Sequence, residues 1–137
     1  TPGEKPFALL LLDVDNFKQT NDRYGHPKGD AVLRCLGENL SGLFRRDDVV
    51  GRVGGDEFLM MMPGAGGEQA VGRARKIAQE MCRSVSVQCG VDVSGSIGVV
   101  LSKPGACAYE ELLRRADSAL YTAKAAGKGC YRVYGGA

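Results

Sequence analysis

Val49-Val50-Gly51-Arg52-Val53-Gly54-Gly55-Asp56-Glu57-Phe58-Leu59-Met60-Met61-Met62 reads as two short strands joined by a tight turn. Residues 49–53 and 58–62 are largely apolar and β-favouring, and Gly54-Gly55-Asp56-Glu57 has the composition of a hairpin connection. A hairpin reverses the chain, so the sheet that contains it has antiparallel neighbours. A purely parallel doubly wound sheet is thereby excluded. The turn also carries two carboxylates, which chain reversal alone does not need.

Working outward, residues 7–13 read as a buried strand entered from a polar leader, Thr1 to Lys5. Phe17, Thr20, Asn21 and Tyr24 suggest a short helix that stops at Gly25, and His26-Pro27-Lys28-Gly29 is a turn or helix entry. From Asp30 onward Leu33, Leu36, Leu40 and Leu43 recur at helical spacing. Beyond the hairpin, Pro63 and the glycines at 64, 66 and 67 end the strand, and Ala70, Ala74, Ile77, Ala78 and Met81 line a second long helix. Residues 85–93 and 96–101 read as a further pair of strands, with boundaries blurred by Gly90 and Gly95. A third stripe, Tyr109, Leu112, Leu113, Ala116, Leu120 and Ala123, closes at Gly127 before a last strand over residues 130–134. The expected fold is an α/β (α+β) sandwich, a central mixed or antiparallel sheet flanked by helices, in one domain.

The 137 residues suit a single core, with 44% apolar and 25% charged residues. Eighteen basic against sixteen acidic side chains leave a net charge of +2 without a Lys/Arg block, so no nucleic-acid polymer is expected as a partner. The longest apolar run, Phe7 to Leu12, is too short to cross a bilayer, and a soluble domain without membrane contact is expected. Five cysteines at 35, 82, 89, 107 and 130, an odd number lacking C-x-x-C spacing, argue against a disulfide framework and a thiolate zinc site. They read as small buried hydrophobes in a reducing compartment.

Chemistry concentrates in four places. Asp13-Val14-Asp15 ends the first strand, where a carboxylate at the edge of the core either caps a turn or awaits a cation. A calcium loop counted from Asp13 fails, because Phe17 and Tyr24 fall where oxygen ligands are required. If the hairpin packs beside the first strand, Asp56 converges with Asp13, and two hard oxygen ligands without His or Cys favour Mg²⁺ or Mn²⁺. Lys18 and Asn21, three apart, share a helix face and either reach one ligand or simply face solvent. His26 reads as a hydrogen-bonded structural residue rather than a base. Lys124 and Lys128 bracket Gly127 at a helix C-terminus, where cations are stabilised and can reach phosphates. The spacing matches neither a P-loop nor a dinucleotide-binding G-x-G-x-x-G, and no Ser-His-Asp or Cys-His arrangement is found.

These elements in this order resemble the GGDEF domain of bacterial diguanylate cyclases. The resemblance rests on Leu12-Asp13-Val14-Asp15-Asn16-Phe17-Lys18, Asn21-Asp22, Gly25-His26, Gly29-Asp30, Arg52, Gly54-Gly55-Asp56-Glu57-Phe58, Ser96-Ile97-Gly98 and Ala119-Leu120-Tyr121 followed by Lys124. It implies a fold related to the palm-like fold of class III nucleotide cyclases, and condensation of two GTP into cyclic di-GMP with release of two pyrophosphates. It further implies that Asp13, Asp56 and the Val14 carbonyl ligate two divalent ions per active half-site, Mg²⁺ or Mn²⁺. Asn21 and Asp30 would recognise guanine, while Lys18, Lys124, Lys128 and the backbone amides near Asn16 and Phe17 would hold phosphates. Lys18, Asp56 and Glu57 form the implied catalytic set, with Glu57 in a metal-binding or positioning role.

The resemblance also implies a homodimer, because one GTP per domain cannot close a symmetric ring. Arg45-Arg46-Asp47-Asp48 fits the family's R-x-x-D motif, so cyclic di-GMP is expected as inhibitor as well as product, held by Arg45 and Asp48 with Lys76 as a secondary contact. A catalytically silent cyclic di-GMP receptor is the alternative. The chain is read as a single domain over residues 1–137, expected to be without the helix that usually precedes the first strand and to be a piece of a longer protein. That protein would be cytoplasmic, or a membrane-attached bacterial protein with this domain in its cytoplasmic portion. Where relatives continue with Arg-Asn after the last helix, this chain has Lys128-Gly129.

Overall fold

The computed structural model describes residues 5–103 and 105–136, so most of the expected polar leader, Thr1 to Glu4, lies outside the described residues. In chain order the elements are β1 (Phe7–Val14), α1 (Phe17–Tyr24), α2 (His26–Leu43), β2 (Val49–Arg52), β3 (Glu57–Pro63), α3 (Gly67–Lys76), α4 (Cys82–Cys89), β4 (Gly95–Ser102), α5 (Tyr109–Ala125) and β5 (Tyr131–Val133). A π-helical turn, Ile77–Met81, joins α3 to α4.

The five strands form one sheet in the order β2-β3-β1-β4-β5. β1 runs antiparallel to both β3 and β4, β2 antiparallel to β3, and only the β4–β5 pair is parallel. The expected mixed sheet flanked by helices is therefore what the chain builds.

β1 reads as a continuous apolar run because both its faces are covered. Ala8, Leu10, Leu12 and Val14 point into the larger core, with Val32, Leu36 and Leu40 of α2, Ala70 and Ala74 of α3, and Val85 of α4. Leu9 and Leu11 point the other way, against Leu112, Ala116 and Leu120 of α5. Each of these leucines contributes about 1.5–3 kcal/mol by leaving water. α5 approaches β4 so closely at Gly98 that a β-carbon there would lie 2.2 Å from the Ala116 carbonyl oxygen. Only glycine admits that contact.

The second helix starts at His26, so residues 26–29 are the helix entry of the two readings left open, with Pro27 in the first turn, where a missing N–H costs nothing. The strand expected over residues 85–93 is not formed: residues 82–89 are helical and residues 90–93 lie in the link to β4. Ile77, Met81 and Val85 continue the buried stripe of α3 at helical spacing, while Val87, which strand alternation would bury beside Val85, is 79% exposed. Gly90 ends the helix in the left-handed region with φ 71°, and Val93 N–H donates to Ser86 Oγ at 2.8 Å, fastening the link to β4. The last strand is shorter than expected, three residues. Cys82 is buried, whereas Cys35, Cys89, Cys107 and Cys130 are half-buried. No helix among the described residues is long and apolar enough to cross a membrane.

Candidate active site

The C-terminal end of the central strand is the natural place for a site, because three strands deliver residues to it together. Asp13 pairs with Glu57 on β3 and with Ser96 on β4. The turn before β3 folds over this end: Val14 N–H donates to the Asp56 carbonyl at 3.1 Å, and Val53 N–H to the Glu57 carbonyl at 3.0 Å. Arg52 clamps the turn, donating from Nε to the Gly54 carbonyl (3.2 Å) and from Nη2 to the Gly55 carbonyl (2.8 Å). The expected convergence of Asp13 with Asp56 is thus present.

The backbone crowds like charges at this rim. Burial, and then the Asp56 charge, push the Asp13 carboxyl above the ordinary carboxylate range, against the opposing pull of Lys124. Burial and the neighbouring Asp13, Asp117 and Asp56 raise Glu57 likewise. Lys124 Nζ lies 2.9 Å from Asp13 Oδ2 and 3.8 Å from Asp15 Oδ1. Asp13 Oδ1 is buried without a hydrogen-bond partner.

Asp15, to which the sequence attaches no evident role, organises the rim. Its buried carboxylate accepts from Ser96 Oγ at 2.6 Å, Ser94 Oγ at 2.8 Å and Gly129 N–H at 2.9 Å. It thereby ties the start of α1 to β4 and to the loop carrying Lys128. The D-x-D of residues 13–15 and the S-x-S of residues 94–96 are the only signals that could have suggested this pairing.

Asn16 follows in the left-handed region (φ 55°) and its Oδ1 accepts from Lys128 Nζ at 2.7 Å; Lys128 is left-handed too, with φ 66°. No side chain caps α1, so its first-turn N–H groups, next to Asn16 and Phe17, have no capping partner, and Lys128 reaches the same end through Asn16. Lys18 is exposed on α1 and Asp30 on α2. Asn21 lies flat on α2 because residue 29 is glycine: a β-carbon there would fall 1.8 Å from Asn21 Oδ1, which is buried and unpartnered. His26 is exposed at the start of α2, and among the described residues its ring makes no hydrogen bond, contrary to expectation.

Arg45, Asp48 and Lys76 stand apart from this rim. Arg45 N–H donates to Asp48 Oδ2 at 2.8 Å, and Arg45 Nη2 reaches Asp48 Oδ1 (3.3 Å) and the Pro63 carbonyl (3.1 Å). Pro63 and Glu57 are opposite ends of β3, so about 20 Å of strand separates this pair from the turn. Lys76 ends α3, exposed, in a shallow groove shared with Leu43 and Glu80. Arg73, missed in the sequence, is the α3 residue that contacts the segment leading to Arg45: it donates to the Leu43 carbonyl and stacks on Phe44, 5.0 Å from the ring centre.

Among the described residues no cluster of three or more His, Cys, Asp or Glu side chains forms a metal cage. A divalent cation nevertheless fits the Asp13–Asp56 pair. Its donors are hard oxygens, one Asp13 carboxylate oxygen is buried and orphaned, and burial together with the Asp56 charge raises the Asp13 carboxyl pKa.

A mixed α/β sheet domain thus brings an acidic pair, lysines and an uncapped helix start to one rim. Residues 2–130 match the family described as diguanylate cyclase, GGDEF domain, and the chain belongs to that family. The diguanylate cyclase DgcM of Escherichia coli strain K12 is 39% identical over 122 residues, which cover 89% of this chain and 29% of DgcM. The chain spans about a third or less of the length of the curated relatives it matches. The active GGEEF domain of a diguanylate cyclase from Vibrio cholerae superposes with a TM-score of 0.86 at 32% identity, covering 95% of this chain and 83% of that one. The GGDEF domain of DgcB from Caulobacter crescentus, solved in complex with c-di-GMP, gives 0.84 at 27% identity, covering 96% and 79%.

Proposed function

We propose that this domain is a diguanylate cyclase that condenses two GTP into cyclic di-GMP and two pyrophosphates. The observation that carries the reading is the meeting of Asp13 and Asp56 at one strand end, with Lys124 Nζ 2.9 Å from Asp13. Kinship with curated diguanylate cyclases supports it.

Asp13, Asp56 and the Val14 carbonyl would hold Mg²⁺ or Mn²⁺, two ions in each half-site. When bound, such ions acidify a 3′-hydroxyl and offset charge developing on pyrophosphate. Lys124 then exchanges its Asp13 partner for phosphate oxygens, and Lys18, Lys128 and the first amides of α1, near Asn16 and Phe17, complete a cationic cradle. Asp30 accepts from the N1–H and amino group of guanine, a donor pair that adenine lacks, and the Asn21 amide donates or accepts beside it. Glu57 steadies the turn and the ion site.

Each domain supplies one guanine site while the product contains two guanosines, so two loaded copies face each other. Arg45, Asp48 and Lys76, remote from the rim, form the surface at which cyclic di-GMP inhibits. The GGDEF domain of DgcB was solved in complex with c-di-GMP, which supports binding of that nucleotide by a domain of this family.

The test is to incubate the concentrated domain with GTP and Mg²⁺ and identify the nucleotides formed. Cyclic di-GMP is the expected product, and Asp56→Asn is expected to reduce its rate to about 1% or less while leaving the fold intact, because the variant removes a ligand charge without changing volume. Product formation by a folded Asp56→Asn variant at near-parental rate defeats the metal assignment. Binding of cyclic di-GMP without any turnover favours the silent receptor.

A further inference from the structure

Two of the five cysteines meet across a helix pair. Cys35 lies mid-way along α2 and Cys89 is the last residue of α4. The two helices pack together, and both side chains rest, half-buried, against the same core. Cys35 Sγ donates to the side chain of Gln88, the residue next to Cys89, and the neighbouring Cys89 thiol, after burial, helps to hold the Cys35 thiol above its ordinary range.

Flanking contacts hold the helices in that register. Cys35 Sγ donates to Gln88 Oε1 at 3.0 Å, Asn39 Nδ2 lies 3.5 Å from the same oxygen, and Lys28 Nζ donates to the Cys89 carbonyl at 2.9 Å. The other thiols are placed elsewhere: Cys82 is buried, Cys130 donates to the Ala123 carbonyl, and Cys107 lies near Arg115. Neither Cys35 nor Cys89 touches the Asp13–Asp56 rim, so the chemistry of this thiol pair is independent of the proposed cyclase reaction.

We infer that Cys35 and Cys89 form a redox-modification site, a dithiol that a low-molecular-weight disulfide converts into an intramolecular disulfide joining α2 to α4. Cys35 Sγ is engaged as a donor to Gln88 Oε1, so Cys89, at the C-terminal end of α4, takes the first step. Its thiolate bonds one sulfur of the reagent, the reagent's S–S bond breaks, and one small thiolate leaves. That thiolate accepts the Cys35 proton, the Cys35 sulfur attacks Cys89 Sγ, and the second small thiol departs. Two protein thiols are oxidised by two electrons and the reagent is reduced to two thiols. A reducing thiol reverses the sequence.

The bridge closes a loop of about fifty residues, which restricts the unfolded chain and raises the thermal midpoint by roughly 5–10 °C. The experiment equilibrates the protein across a series of glutathione disulfide to glutathione ratios, followed by alkylation, intact mass, peptide mapping and thermal unfolding. Expected are loss of two alkylatable thiols, one linked peptide pair containing Cys35 and Cys89, and a raised midpoint that either Cys35→Ser or Cys89→Ser abolishes. Cys35→Ser should in addition accumulate a glutathione adduct at Cys89. The inference is overturned by an unchanged thiol count under fully oxidising glutathione, by adducts that persist unbridged in the parent, by a bridge to another cysteine, or by a midpoint that falls on bridging.

Discussion

Asp13 and Asp56 illustrate what individual residues disclose and what they hide. Each ends or borders a strand-like run, so their meeting follows once the runs are paired, and the register of Asp13 with Glu57 places the turn at the same rim. Asp15 was opaque for the opposite reason: its partners, Ser94, Ser96 and Gly129, lie 79, 81 and 114 positions away, and no local pattern foretells a three-donor contact over that span. Replacing Asp15 with Asn turns one acceptor oxygen into a donor facing other donors. The variant is expected to lose about 2–4 kcal/mol, read from urea unfolding. Asp13 and Glu57 have raised carboxyl pKa values, so between the unfolded and folded values the native state binds more protons than the unfolded chain. Without a divalent cation, stability contributed at this rim therefore falls as pH rises through that window. A cation relieves the crowding only when the carboxylates are ionised. Added Mg²⁺ should accordingly raise the thermal midpoint by several degrees near pH 7.5 and by little near pH 4.5, as scanning calorimetry in both buffers will reveal.

At the scale of elements, the hairpin β2–β3 and the amphipathic α2 and α5 were legible because turn chemistry and helical periodicity are local. The stretch following Met81 was not. Val85, Val87, Val91 and Val93 mimic an alternating strand, but continuity with the Ile77–Met81 stripe makes Val85 and Val87 helical and leaves Val91 and Val93 in the link to β4. The contact of α1 with α2 was half visible: the small residue at 29 stood out, but not that it makes room for Asn21. Gly29→Ala places a methyl group where Asn21 Oδ1 now lies. The expected result is GTP affinity weakened at least ten-fold with helix content preserved, measured by calorimetric titration alongside circular dichroism. Unaltered affinity in a folded variant would detach Asn21 from guanine recognition.

For the molecule as a whole, sheet order matters more than any single contact. The acidic rim belongs to β3, β1 and β4, the three inner strands, whose backbone groups are paired on both sides. The first helix, which carries Lys18 and Asn21, buries none of its residues fully. The two halves of one site therefore stand on ground of unequal durability. In deuterium labelling of the free protein, amides of Leu10 to Leu12 should be among the last to exchange, through global opening, and those of α1 among the first, through local fraying. If α1 holds guanine and the carboxylates hold cations as proposed, gentle warming should cost the domain its grip on guanine well before the carboxylates drift apart, leaving an interval of temperature in which it still binds cations but no longer selects a base. Nucleotide binding, rather than the sheet, would then set the upper working temperature of the proposed cyclase.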